Sequence, residues 1–220
     1  MSRAARARTA TPAYDVHPSV GMVVRWVAEL KGKTGRSLDE WMAFIRKSAP
    51  KDEKTCRQWL RDEHGIGGNT AWWLAEKAFG DTGTFEESPE TYLAAAAKYV
   101  ERMYSGPKVA LRPIHDVLVR LGRGLGADVK VCPCKTIVPL FRNHVIAQIK
   151  PSTRTRIDFG LALGPLVKAG KPRLPKRLID TGGLAKKERI THRFEITAVD
   201  QVDAAVETWL RRAYELDGSP

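Results

Sequence analysis

Between residues 150 and 161 the chain reads KPSTRTRIDFGL, and its apolar positions recur at every second residue. In an extended strand Ile157, Phe159 and Leu161 share one face, while Arg156 and Asp158 point to the other. The same period of two runs through residues 128–132, 136–141, 145–150, 155–163 and 191–198, which predicts five strands. Short turns at Cys132-Pro133, Arg142-Asn143 and Pro151-Ser152-Thr153 make the first four an antiparallel meander. A helical period flanks them. Leu111, Ile114, Val117, Leu118 and Leu121 form one face ahead of Gly122, Gly124 and Gly126, and Val202, Val206, Trp209, Leu210 and Ala213 form another after the last strand. The pattern predicts an α+β domain: one antiparallel sheet with its first and last helices on one face.

Upstream, residues 17–80 carry only the helical period, so an all-α N-terminal domain is expected. Val20, Val23, Val24 and Val27 line a first helix that ends in KGKTGR. Ser37, followed three residues later by Glu40, is a capping box for a second, with Trp41, Phe44 and Ile45 inward and Pro50 as its stop. A third is expected from about Asp52 to Glu63 and a fourth from Asn69 to Phe79. Most of the tryptophans fall in this segment. A bundle this short needs large side chains to bury enough area, so they read as core rather than as stacking platforms for a ligand.

Three further segments complete the expected organisation. Residues 1–16 are small, basic and Pro-interrupted, a disordered arm whose Arg3, Arg6 and Arg8 have the charge to touch a phosphate backbone. Residues 81–107 are acidic and Ala-rich, a linker helix opened by Ser88-Pro89-Glu90 and closed by Gly106-Pro107. Its stripe of Tyr92, Leu93, Ala96 and Tyr99 suits docking on a neighbouring domain or on a second copy, which leaves a homodimer open. Residues 108–217 hold the α+β domain, with a basic loop at 168–190.

Charge adds what periodicity leaves out. The 37 Lys and Arg exceed the 25 Asp and Glu by a formal +12, which favours anionic partners, nucleic acid among them. Three cysteines are too few for a disulfide framework, and no apolar run reaches the length of a membrane span. A cytoplasmic protein with no membrane partner is expected.

The densest positive charge lies between residues 168 and 193, where nine Lys and Arg, including Lys186, Lys187, Arg189 and Arg193, meet only Asp180 and Glu188. Pro172, Pro175, Gly170, Gly182 and Gly183 argue against regular structure there, so a mobile cationic loop that neutralises phosphate is expected; without interleaved aromatics it offers no base stacking. Arg154 and Arg156 extend this charge onto the strand. If the strands pair in register, Arg156, Asp158, Arg193 and Glu195 share the sheet face that no helix covers, with Lys150 and Arg142 beside them. That row is either a salt-bridged surface or an anion site. The turn HGIGGN offers a second phosphate site at Gly65 and Gly67, in the manner of a helix-hairpin-helix turn, although glycines at a tight junction need no ligand. Cys132 and Cys134, with His115 or His144, lack the spacing of a zinc site, so neither metal nor cofactor is expected. His192 is the one histidine in a well-defined motif, and with Arg193, Arg156 and Asp158 it would be the polar cluster of an enzyme; it also shares the phase of Phe194 and Ile196, which suits a partly buried sheet residue.

The stretches TGRSLDEW, WLRDEHGIGGNTAWWLAE, PSTRTRIDFGL and THRFEIT resemble an uncharacterised bacterial family that joins a short helical N-terminal domain to a C-terminal domain of unknown function. The resemblance covers residues 17–80 and 108–217. It implies a two-domain cytoplasmic protein, related in its C-terminal part to predicted transport-related proteins, and it implies no activity or catalytic residue.

Two functional expectations follow. The first is a non-catalytic protein that binds nucleic acid or another polyanion through Arg154, Arg156, Lys186, Lys187, Arg189 and the Gly65 turn. The second is a small-molecule enzyme or ligand-binding module that uses the charged sheet face around Asp158, His192 and Arg193.

Overall fold

A computed structural model describes residues 14–79, 88–170 and 173–218. The arm residues Arg3, Arg6 and Arg8, the start of the expected linker and Lys171 lie outside the described residues, whereas the end of the arm expected to be disordered is held in place, Asp15 exchanging hydrogen bonds with Val131 and pairing with Arg123. The chain divides into two compact units, one of residues 18–95 and one of residues 1–17 with 96–220.

The first unit holds α1 (Pro18–Thr34), α2 (Leu38–Ser48), α3 (Glu53–Asp62) and α4 (Gly68–Phe79). Its starts follow from local chemistry. The Ser37 side chain accepts from the Glu40 N–H while Glu40 accepts from the Ser37 N–H, so two orphan donors of α2 are satisfied reciprocally. Asp52 caps α3 by accepting from the Thr55 N–H. Trp41 and Trp73 are fully buried in the core with Ile45, Cys56, Leu60 and Leu74, as the bundle argument requires, and Trp26, Trp59 and Trp72 pack on its edge. The boundary between the units falls within α5 (Pro89–Met103), between Ala95 and Ala96.

The second unit continues from α5 through a 3₁₀ turn (Gly106–Leu111) into α6 (Arg112–Arg123). Then come β1 (Lys130–Val131), β2 (Val138–Phe141), β3 (Val145–Pro151), β4 (Ile157–Leu161), α7 (Gly164–Ala169), β5 (Ile179–Asp180), β6 (His192–Ile196) and α8 (Ala204–Gly218). All pairings are antiparallel in the order β1-β2-β3-β4-β6-β5. The two-residue edge strands leave little unpaired backbone to recruit another chain. In β4, Ile157, Phe159 and Leu161 are fully buried, and their cross-strand partners on the same face are Ile149 and Ala147 of β3 and Ile196, Phe194 and His192 of β6. Ile114 and Leu118 of α6 and Val206, Leu210 and Ala213 of α8 complete that core. Each fully buried Val, Leu, Ile or Phe among them contributes about 1.5–3 kcal/mol by leaving water.

Three details depart from the sequence reading. The segment expected to be a structureless loop contains β5, whose Ile179 and Asp180 pair with Arg193 and His192, and α7 precedes it. Residues 181–190 fold onto the outer sheet face: the Ile190 side chain stands 2.6 Å from where a Cβ on Gly160 would lie, so only glycine admits this approach. The face expected to lack a cover is therefore partly covered. Arg142 does not join that face either. The bend at the end of β2 turns it to Asp128, 2.7 Å away, and over the Tyr214 ring.

Candidate anion-binding site

On the outer face the register sets Asp158 opposite Glu195 on one side and Lys150 on the other, with Arg193 opposite Gly160. Arg156 reaches Asp158 at 2.9 Å and Glu195 at 3.0 Å; Arg193 reaches Glu195 at 2.8 Å. The first of these contacts is ionic rather than a hydrogen bond, because the Arg156 Nε–H is not directed at the Asp158 oxygen. Ser152 Oγ donates to the other Asp158 oxygen at 2.7 Å. Two guanidinium groups thus meet two carboxylates, and the row expected to be either salt-bridged or an anion site has its charge balanced internally. His192 lies inward, 3% exposed, with Nδ1 3.0 Å from the Thr191 hydroxyl; burial lowers its pKa, against the opposing pull of Asp180. It faces the core beside Leu161 and is not brought together with the outward Arg156 and Asp158.

The basic loop splits in two. Arg189 donates to the Val145 carbonyl at 3.0 Å and pairs with Asp217, and Arg177 pairs with Asp203 and donates to the Gln201 carbonyl, so both hold the fold together. Lys186 and Lys187 are exposed, and among the described residues neither meets a carboxylate. Lys187 takes φ +59, which turns the chain so that the next N–H, that of Glu188, reaches the Gly183 carbonyl. In the first unit Gly65 takes φ +64, and the turn uses the Ile66 N–H internally, on the Leu60 carbonyl. That left-handed backbone accounts for glycine at position 65.

Arg154 belongs to a different feature, a cavity of about 540 Å³ within the second unit. Three segments build it. The end of α5 and the following turn contribute Arg102, Ser105 and Lys108; the β1–β2 connection contributes Lys135 and Thr136; the β3–β4 hairpin contributes Lys150, Ser152 and Arg154. Met103, Pro107 and Pro151 form its apolar wall. Lys108 Nζ donates to the Pro151 carbonyl at 2.6 Å and ties the first segment to the hairpin. Arg102, Lys135, Lys150 and Arg154 make no ion pair among the described residues, and no carboxylate lines the cavity. Cations that converge on a concavity without counter-charges raise the local potential and attract anions. The nearest acid in register, Asp158 opposite Lys150, is engaged by Arg156, Arg193 and Ser152.

Of the residues singled out from sequence, then, Arg154 enters this site, and Lys150, noted only as a neighbour of the charged row, joins it. Arg102, Lys108 and Lys135 carry no site signal in the sequence, because Arg102 lies in an acidic stretch and Lys135 and the β3–β4 hairpin are distant from it along the chain. Among the described residues no cluster of His, Cys, Asp and Glu suits a metal ion. Burial raises both neighbouring thiols, Cys132 to about 12, and leaves them poor ligands near neutral pH.

Fold and site together define a protein of two units, a helical one followed by an α+β one that carries a cationic cavity. Domain of unknown function (DUF5655) matches residues 100–217, more than half of the chain, and the chain belongs to that family. Domain of unknown function (DUF4287) matches residues 25–78. No curated protein and no solved structure matches the chain. No helix among the described residues is long and apolar enough to cross a membrane.

Proposed function

We propose that this chain is a non-catalytic binding protein whose second unit takes a polyanion, nucleic acid foremost, at the cavity between α5, the β1–β2 connection and the β3–β4 hairpin. One observation carries the reading: Arg102, Lys135, Lys150 and Arg154 converge on one concavity that no carboxylate lines. The formal charge of +12 supports it, since long-range attraction then adds to the local contacts. Lys186 and Lys187 offer further exposed charge.

The test is fluorescence anisotropy of labelled oligonucleotides with the full chain at 50 and 200 mM salt. With about four phosphates neutralised, affinity should fall on the order of 10²-fold between the two. Binding that ignores salt, or no binding at the lower concentration, contradicts the proposal.

A further inference from the structure

The lining of the cavity narrows the ligand further, and this step rests on the polyanion reading just given. Its charged groups are all donors, from Arg102, Lys108, Lys135, Lys150 and Arg154, and Ser105, Thr136 and Ser152 add hydroxyls. Guanidinium and ammonium groups pair best with carboxylate or phosphate oxygens, and among polyanions a nucleic acid presents such oxygens at regular intervals. No Phe, Tyr, Trp or His lines the cavity. A single strand gains about 1–3 kcal/mol for each base stacked on an aromatic face, and this site gives it none. In a duplex the bases already stack on one another, so the same site sacrifices nothing. Asn, Gln, Asp and Glu, which read adenine and cytosine edges, are likewise missing from the lining. Arg and Lys also read guanine, but from an element that projects into the major groove. Here they line a hollow rather than a projecting element.

We infer that the cavity binds the sugar–phosphate backbone of a nucleic-acid duplex without regard to base sequence. The four free cations act as phosphate contacts that position the duplex, and Lys108, held on the Pro151 carbonyl, keeps the two sides of the cavity in place.

The experiment compares the full chain on two duplexes of unrelated sequence, each about two helical turns long, with their separated strands, at 50 mM salt. The two duplexes should bind within about threefold of each other and each strand about tenfold more weakly. The variant R102Q/K135Q/K150Q/R154Q should lose about 10²-fold in duplex affinity and most of its salt dependence. Should that variant melt early by circular dichroism, Lys135→Gln and Lys150→Gln taken singly should each lower the slope of log affinity against log salt by about 0.9. Strands that bind as tightly as duplexes, or duplexes that differ about tenfold, overturn the inference and leave the polyanion reading standing. Failure of every nucleic acid to bind overturns both. An unchanged affinity in the folded variants moves the site elsewhere and also overturns the inference.

Discussion

His115 and Asp217 are two buried polar side chains with opposite solutions to the same problem. His115 is 1% exposed, its Nδ1 has no hydrogen-bond partner, and its ring lies 4.7 Å from that of Tyr104. Burial lowers its pKa to about 4, although nearby Asp116 pulls the other way. The folded chain keeps the ring neutral at a pH where the unfolded chain protonates it, so between about 6.5 and about 4 stability falls as pH falls. The gap corresponds to about 3 kcal/mol. His115→Leu should flatten the pH dependence of the urea midpoint across that window; an unchanged slope would show that another group controls it. Asp217 is instead charged and fully partnered. Burial alone would raise its pKa, but the N–H groups of Asn143 and His144, the His144 ring and Arg189 hold it below the usual carboxylate value. Its contribution is present above the unfolded pKa near 3.8 and is lost as pH falls through the lower folded value. Asp217→Asn should cost about 2–4 kcal/mol by urea denaturation at neutral pH, because the Arg189 charge then loses its counter-ion in a part-buried setting.

At the level of elements, the capping box at Ser37 and the folded-back segment 181–190 make separate predictions. Ser37→Ala should destabilise the chain by about 1 kcal/mol, read as a shifted urea midpoint with an unchanged slope. Gly183→Ala acts on the second unit. A Cβ there runs into the Ile190 carbonyl, which is backbone and cannot swing aside, so hydrogen exchange should quicken in residues 181–190 before it does so in β4. Uniform exchange across both would show that this segment opens only with the whole unit. The two segments also differ in how far the sequence disclosed them. The capping box is a local pattern of four residues and was readable at once. Likewise the alternation of Ile157, Phe159 and Leu161 foretold both the core face of β4 and its pairing with the strand that carries Phe194. Segment 181–190 reads as part of a free loop because Pro172 and Pro175 precede it and Gly182 and Gly183 open it. What holds it are contacts distant in sequence, Arg189 to Asp217 and the Val145 carbonyl, and Ile190 over Gly160.

For the whole molecule, the same distinction applies to the cavity. Sequence showed an excess of positive charge and placed the largest share in the segment 168–193. It had no means of showing that Arg177 and Arg189 are consumed internally, or that the outer row of β4 and β6 cancels its own charge. The uncompensated cations of the cavity come from three separate stretches, and the turn between β3 and β4, the connection after β1 and the end of α5 bring them to one place. A density of charge along the chain is therefore a poor guide to a binding site, and the better guide is charge that the fold leaves uncompensated. The measurement that tests this most directly is a titration of the isotope-labelled chain with duplex, followed by amide chemical shifts. The largest changes should fall on residues 102–108, 135–136 and 150–154 and should vanish at high salt. Changes concentrated on residues 186–187 or on the turn at Gly65, with the cavity silent, would contradict it.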